Sequence, residues 1–209
     1  SGSAFKKVYF EETLNRATSK FIPAEDVIVP YGCSDLETCE RITQVLKMSK
    51  NDLRKKQVSG FYIDTNGNGY DAGQTDLQEK KDQIDGESPG SYAVDDMAEL
   101  YEVHVDLDLE GFEDIDPRTN EPTGIKLPYI VTIDRGSDSI ISIYRNYNQA
   151  DALRKKNEYF VHYKFLPGLG FYGFGLIHMI GGLTRTATSA LRQLLDAGTL
   201  SNLPAGFKS

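Results

Sequence analysis

Residues 160–207 read FVHYKFLPGLGFYGFGLIHMIGGLTRTATSALRQLLDAGTLSNLPAGF. Nineteen of them in succession, Phe165 to Leu183, hold no Asp, Glu, Lys or Arg and six glycines. An amphipathic helix pattern follows without a break, spanning about Phe174 to Ala197. Leu176, Ile180, Leu183, Ala187, Leu191 and Leu194 fall on one face, and Gly198 stands where a C-cap glycine belongs. Two physical readings compete. Nineteen uncharged residues approach a bilayer span, but Pro167 and the glycines break any single helix across it, and unsatisfied backbone is costly in lipid. The other reading is a helix that packs in an assembly. Gly181, Gly182, Ala187, Ser189 and Ala190 permit close approach of a neighbour, and a closed ring needs a head-to-tail interface. The second is preferred, because an apolar surface larger than one chain's core calls for a partner.

Working back from this stretch, four strands are expected. Leu100 to Leu109 alternates Tyr101, Val103, Val105, Leu107 and Leu109 against Glu102, His104, Asp106 and Asp108. The runs Tyr129 to Ile133, Ile140 to Tyr144 and Tyr159 to Phe165 follow, with Asp134-Arg135-Gly136-Ser137-Asp138 as a hairpin loop. Together they suggest an antiparallel meander. Earlier in the chain, Phe5, Val8 and Phe10 and the run Val27-Ile28-Val29 read as short strands. Ser34-Asp35-Leu36-Glu37 has the form of a capping box, and Leu36, Cys39, Ile42, Val45 and Leu46 predict a helix behind it. Ser49 with Asp52 caps a second, shorter helix ending at Gly60. The polar, glycine-rich residues 61–94 form a loop with one short helix at Leu77 to Ile84. The fold class is therefore α+β, an antiparallel β meander with helices followed by a long amphipathic helix. The chain divides at 4–60, 61–94, 95–166, 167–198 and 199–209.

Composition narrows the function. A net charge of −8 argues against general affinity for nucleic-acid phosphates. Cys33 and Cys39 fit no zinc spacing, and with two thiols in the chain a reduced intracellular state is the default. The opening Ser1-Gly2-Ser3 looks like an expression scar and is set aside. The end, just after Leu203-Pro204-Ala205-Gly206, suggests a piece of a longer protein.

Candidate chemistry is sparse. Asp64, Asn66 and Asn68 with Gly69 match the first half of a calcium loop. The twelfth position is Thr75, with Asp76 one place late, so the stretch is read as a turn rather than a metal site. A calcium-stabilised β-rich binding module is the alternative this motif supports. Asp106, Asp108, Glu110, Glu113, Asp114 and Asp116 could supply the acid pair of a glycoside hydrolase, but a wet strand face and a loop are the simpler account. His104, His162 and His178 share no metal or nucleophile spacing. Gly168 to Gly173 contains G-x-G-x-x-G, yet antiparallel neighbours and the bulky Leu169, Phe171 and Tyr172 oppose a dinucleotide site. No enzyme and no cofactor are expected.

FVHYKFLPGLGFYGFGLIHMIGG and ATSALRQLLDAGTLSNLPAGFK resemble the portal proteins of short-tailed, double-stranded DNA phages. So do FIPAEDVIVPY, SDLETCERITQVLKMSKNDLRKKQVSGFY and ISIYRNYN, leaving the loop after Asp64 outside the likeness. The resemblance implies a ring, usually of twelve subunits, at one capsid vertex, through which DNA is packaged and ejected. It implies a wing for the β-rich region, a stem helix over Leu176 to Leu195, and the beginning of a clip near Leu203. Its implied partners are copies of the chain, the terminase large subunit, capsid and tail adaptor proteins, and DNA passing without sequence-specific contact. Its implied location is the virion, and the host cytoplasm during assembly; no membrane is implied.

Overall fold

Strands dominate wherever β-branched and aromatic residues recur at every second position, because that spacing places them on one side of a pleated ribbon. The structure, a computed structural model, describes residues 2–11, 15–64, 97–116, 118–168 and 170–202, with residues 80, 83, 84 and 86 between. Its strands are β1 (Ser3–Glu11), β2 (Arg16–Ile22), β3 (Val27–Ile28), β4 (Arg41–Ser49), β5 (Met97–Leu107), β6 (Leu127–Asp134), β7 (Ser139–Arg145) and β8 (Phe160–Lys164). Its helices are α1 (Lys50–Val58) and α2 (Leu176–Asn202), with one 3-10 turn at Ala24–Asp26. The strands form two antiparallel sheets, ordered β2-β1-β8 and β3-β4-β5-β6-β7. The α+β class holds.

The expected meander is present as β5-β6-β7, with Val103 opposite Val131 and Asp134 opposite Ser139 at the hairpin. The fourth expected strand leaves it. β8 pairs with β1, Phe5 opposite His162, and so belongs to the smaller sheet. Alternation fixes which side a residue faces but carries no information about the partner strand, and these two segments lie at opposite ends of the chain.

The helix expected behind Ser34 is not formed; Arg41–Ser49 is strand β4, paired along its length with β5. Ile42 and Gln44 turn inward and are buried, and Leu46 and Met48 on the same face pack against the core. The Ser34 capping box gives way to a turn in which Asp35 Oδ1 accepts the backbone N–H and the hydroxyl of Thr38, both at 2.8 Å. Cys33 and Cys39 close that turn as a disulfide, Cα atoms 5.3 Å apart, which corrects the expectation of free thiols. The second capping prediction stands. Ser49 Oγ accepts the Asp52 N–H at 3.1 Å and α1 starts there.

Two ends also differ. Ser3 belongs to β1, and Gly2 and Ser3 are buried rather than lying outside the fold. Gly2 O accepts the Phe165 N–H at 2.9 Å, so Gly2 and Ser3 are built into the smaller sheet. At the other end α2 runs through Gly198 to Asn202 instead of stopping. Thr199 Oγ1 and Ser201 Oγ donate back to the carbonyls of Leu195 and Gly198, so both hydroxyls are satisfied within the helix. The helix expected at Leu77 to Ile84 lies mostly outside the described residues, as do Asn66, Asn68 and Leu203 to Gly206.

Among the described residues, three apolar clusters hold the body. Phe5, Ile22, Phe160 and Phe171 meet Val27, Cys39 and Ile42 between the sheets. Tyr62, Leu100 and Ile141 sit under α1 with Leu53. Leu127, Tyr129 and Val131 pack with Val103 and Val105 on the opposite face of the larger sheet.

Candidate functional site

Three features of the body and helix can carry function: the turn that launches α2, the helix itself, and a charged cluster between the sheets. The turn is the glycine-rich stretch after β8. Its residue Phe171 is buried, stacked 5.8 Å from Phe5 and 4.8 Å from His162. Tyr172 donates its hydroxyl to Val27 O at 3.1 Å, and Gly173 donates its N–H to Ser3 Oγ at 2.9 Å. Phe171, Gly173 and Gly175 of the uncharged segment are thus covered by their own chain, while most of its other described residues are exposed. A Cβ on Gly168 would lie 2.8 Å from the Phe174 ring and one on Gly173 2.7 Å from Gly2 O, so packing accounts for two glycines of the G-x-G-x-x-G string.

His178 opens the helix. Its Nδ1 accepts the Gly175 N–H at 3.1 Å, doing from the third helical position what a glutamate does in a capping box. That contact assigns the ring proton to Nε2. Beyond it every described side chain of α2 is exposed apart from the position of Gly181, which is half-buried. Of the predicted stripe, Leu176, Ile180, Leu183, Leu191 and Leu194 are all exposed, from 43% at Ile180 to 72% at Leu183, and Ala187 lies exposed among them. A groove of about 880 Å³ runs along the helix between Leu176 and Arg192. No described helix is long and apolar enough to cross a membrane.

Threonines in this helix are self-satisfied. Thr184, Thr186 and Thr188 each donate their hydroxyl to the carbonyl four residues back, at 3.1, 3.1 and 2.8 Å. A face made of leucine, glycine and internally bonded threonine can be buried without stranding a polar group.

The charged cluster carries no short-range sequence signal. Glu102 was expected on a wet face; instead its side chain is 14% exposed, and one carboxylate oxygen, Oε1, takes both the Lys7 ammonium and His104 Nε2, the latter at 2.7 Å. Lys7 comes from the smaller sheet, so this contact ties the two sheets together. Burial alone would raise the Glu102 carboxyl, but the His104 hydrogen bond and the Lys7 charge outweigh it and pull it down to about 2. Cross-strand register puts Gln44, Glu102, Thr132 and Ser142 in one row across four strands. All of that row is turned inward, and Gln44 Oε1 and Ser142 Oγ are buried without a protein partner. Burial, then the Glu102 charge, pushes the neighbouring Tyr62 phenol up to about 12. Lys7 and Glu102 stand 95 positions apart and share no spacing signal.

The other expected site residues are scattered. Asp64 is paired with the Arg54 guanidinium, and no group of three metal-binding side chains occurs among the described residues. Asp106 and Asp108 are exposed as expected. Glu113 accepts the Gly111 N–H and Asp116 the Arg118 N–H, while Asp114 takes Thr123 and Arg154, so these carboxylates shape their loop. His162 stacks on Phe5 at 4.3 Å and its Nε2 meets Ser3 Oγ at 2.9 Å. The three histidines therefore serve three separate structural contacts. No family model and no curated protein matches this sequence.

Proposed function

We propose that this chain is a structural assembly subunit, the wing and stem of a phage portal ring of the head–tail connector kind. The observation that carries the reading is the exposed length of α2. Twenty-seven residues stand outside the body, with Leu183, Leu191 and Leu194 at 72, 61 and 68% exposure. Burying each such leucine against a neighbour yields about 1.5–3 kcal/mol, so a stripe of this length favours association. Head-to-tail packing of identical helices closes into a ring rather than a dimer when the rotation permits. The residue runs that resemble portal proteins supply the rest of the reading: a capsid vertex, DNA passing through the central channel, and terminase, capsid and adaptor proteins as partners. A net charge of −8 suits a wall that DNA slides past without gripping.

Negative-stain electron microscopy and light scattering at high protein concentration test the proposal. Closed rings with a central hole are expected. A monomer at every concentration overturns it, and so does an assembly that survives Leu183→Asp together with Leu191→Asp.

A further inference from the structure

The loop Cys33 to Cys39 is tied down three ways. The disulfide joins its ends. Asp35 accepts two hydrogen bonds from Thr38 inside it. From the segment before β8, the Lys156 ammonium donates to the carbonyls of Leu36 and Cys39 at 3.1 and 3.2 Å.

This loop is also a wall. Cys39 is 6% exposed within the cluster of Phe5, Val27, Ile42 and Phe160, and Cys33 and Leu36 pack onto it. Asp35, Leu36 and Glu37 form one side of a cavity of about 390 Å³, whose other lining includes His104, Asn146 and Phe160. Asn146 is 2% exposed, and its Oδ1 has no protein partner there. The conformation of residues 33–39 therefore sets one wall of this half-open cavity.

We propose that the Cys33–Cys39 disulfide is a redox latch on the intersheet cavity. Oxidised, it holds the wall in place; reduced by a dithiol, it leaves the loop on hydrogen bonds that can open. The thiolate of the dithiol attacks Cys33 Sγ, the more accessible sulfur. The S–S bond breaks, and Cys39 leaves as thiolate and takes up a proton. The reductant's second thiol then attacks the mixed disulfide and releases Cys33 as a thiol. Two electrons and two protons pass to the protein, and the dithiol becomes a cyclic disulfide. The apolar surroundings of Cys39 favour its neutral thiol over the thiolate. Reclosure under an oxidant thus begins at Cys33. The latch is open in a reducing compartment and shut in an oxidising one. It is independent of the α2 face.

Hydrogen exchange of the whole chain tests the latch, measured after air oxidation, after dithiothreitol, and after reoxidation. Amides of residues 34–41 and 156–160 should exchange roughly tenfold faster on reduction and recover on reoxidation, while the β5–β6 hairpin stays unchanged. Lys156→Met should enhance the reduced-state opening and do little with the disulfide intact; if that variant fails to fold, the wild-type comparison decides alone. Three results overturn the proposal: alkylation that finds both thiols free in the oxidised protein, exchange indifferent to reduction, or acceleration spread evenly over the chain.

Discussion

The Ser3 hydroxyl oxygen accepts the Gly173 N–H at 2.9 Å, joining the first strand to the turn that launches α2 across 170 positions of chain. The contact exists because Gly2 and Gly173 both lack a side chain. A Cβ on Gly2 would stand 2.1 Å from Gly173 O, and one on Gly173 would stand 2.7 Å from Gly2 O and 3.0 Å from Leu166 O. Two backbones meet there at a distance no side chain allows.

Gly173→Ala should therefore destabilise the chain by about 1–3 kcal/mol, the usual range for overpacking. At this length that lowers Tm by roughly 2–4 °C per kcal/mol. Gly198→Ala is the opposing control. It lies within α2 with nothing inside 4 Å of the added carbon, so it should stabilise the helix by about 0.5–1 kcal/mol. Thermal melts followed at the helical circular-dichroism band check both. Equal effects of the two substitutions would contradict the packing at Gly2.

The Lys7–Glu102 contact makes a second prediction. Both side chains are 14% exposed, and removing either would leave the other charged and buried. Lys7→Met alone and Glu102→Gln alone should each cost about 3–5 kcal/mol, the range for breaking a buried pair. The double variant Lys7→Met with Glu102→Gln should recover much of that loss. Urea unfolding of all four proteins gives the coupling energy directly; additive losses would mean the pair does not link the sheets.

How much of this was legible in the sequence depends on which force placed each residue. The hairpin around Arg135, the Ser49 cap and the α2 stripe follow from local periodicity and turn chemistry, and all three appear where that logic puts them. β4 was hidden by its own polar residue. Gln44 faces inward beside Glu102, which breaks the apolar alternation and leaves Ile42, Val45 and Leu46 at a helical spacing. The buried polar row that disguised the strand is the same row that builds the charged cluster. β2 is silent in the sequence for another reason. As an edge strand with only Ile22 buried, RATSKFI has no apolar pattern to show. The pairing of β8 with β1 and the closure of Cys33 on Cys39 depend on long-range or loop geometry that no short window contains.

Acid should act through the same cluster. The Glu102 carboxyl falls from its ordinary 4.5 to about 2 in the folded chain, so the unfolded chain binds the extra proton first. Its stabilising effect is complete above about pH 4.5 and is lost as pH falls through about 2. At roughly 1.4 kcal/mol per unit the loss is a few kcal/mol. His162 adds in the same direction at higher pH. Burial, then the Lys164 charge, lowers its pKa, so protonation opposes folding and stability declines as pH drops below the ordinary histidine range near 6.5. Urea midpoints between about pH 8 and pH 2 should therefore fall in two stages. His162→Phe should remove the upper stage and Glu102→Gln should flatten the lower one; a single stage unchanged by either variant would refute the assignment.

The α2 stripe supports a prediction that separates folding from assembly. Leu183 and Leu191 are 72 and 61% exposed, so replacing them with aspartate removes almost no intrachain packing. Leu183→Asp with Leu191→Asp should leave the Tm of the β-sheet body within a few degrees of wild type, as surface substitutions usually change stability by no more than about 0.5 kcal/mol. Two buried carboxylates facing each neighbour would, however, be prohibitive in an oligomer. Sedimentation velocity of the two proteins distinguishes the effects: a fast-sedimenting species confined to wild type, with matching melts for the two bodies, is the expected pair of results. A variant that unfolds would instead place these leucines in the chain's own core, and a variant that still assembles would move the interface off this face of α2.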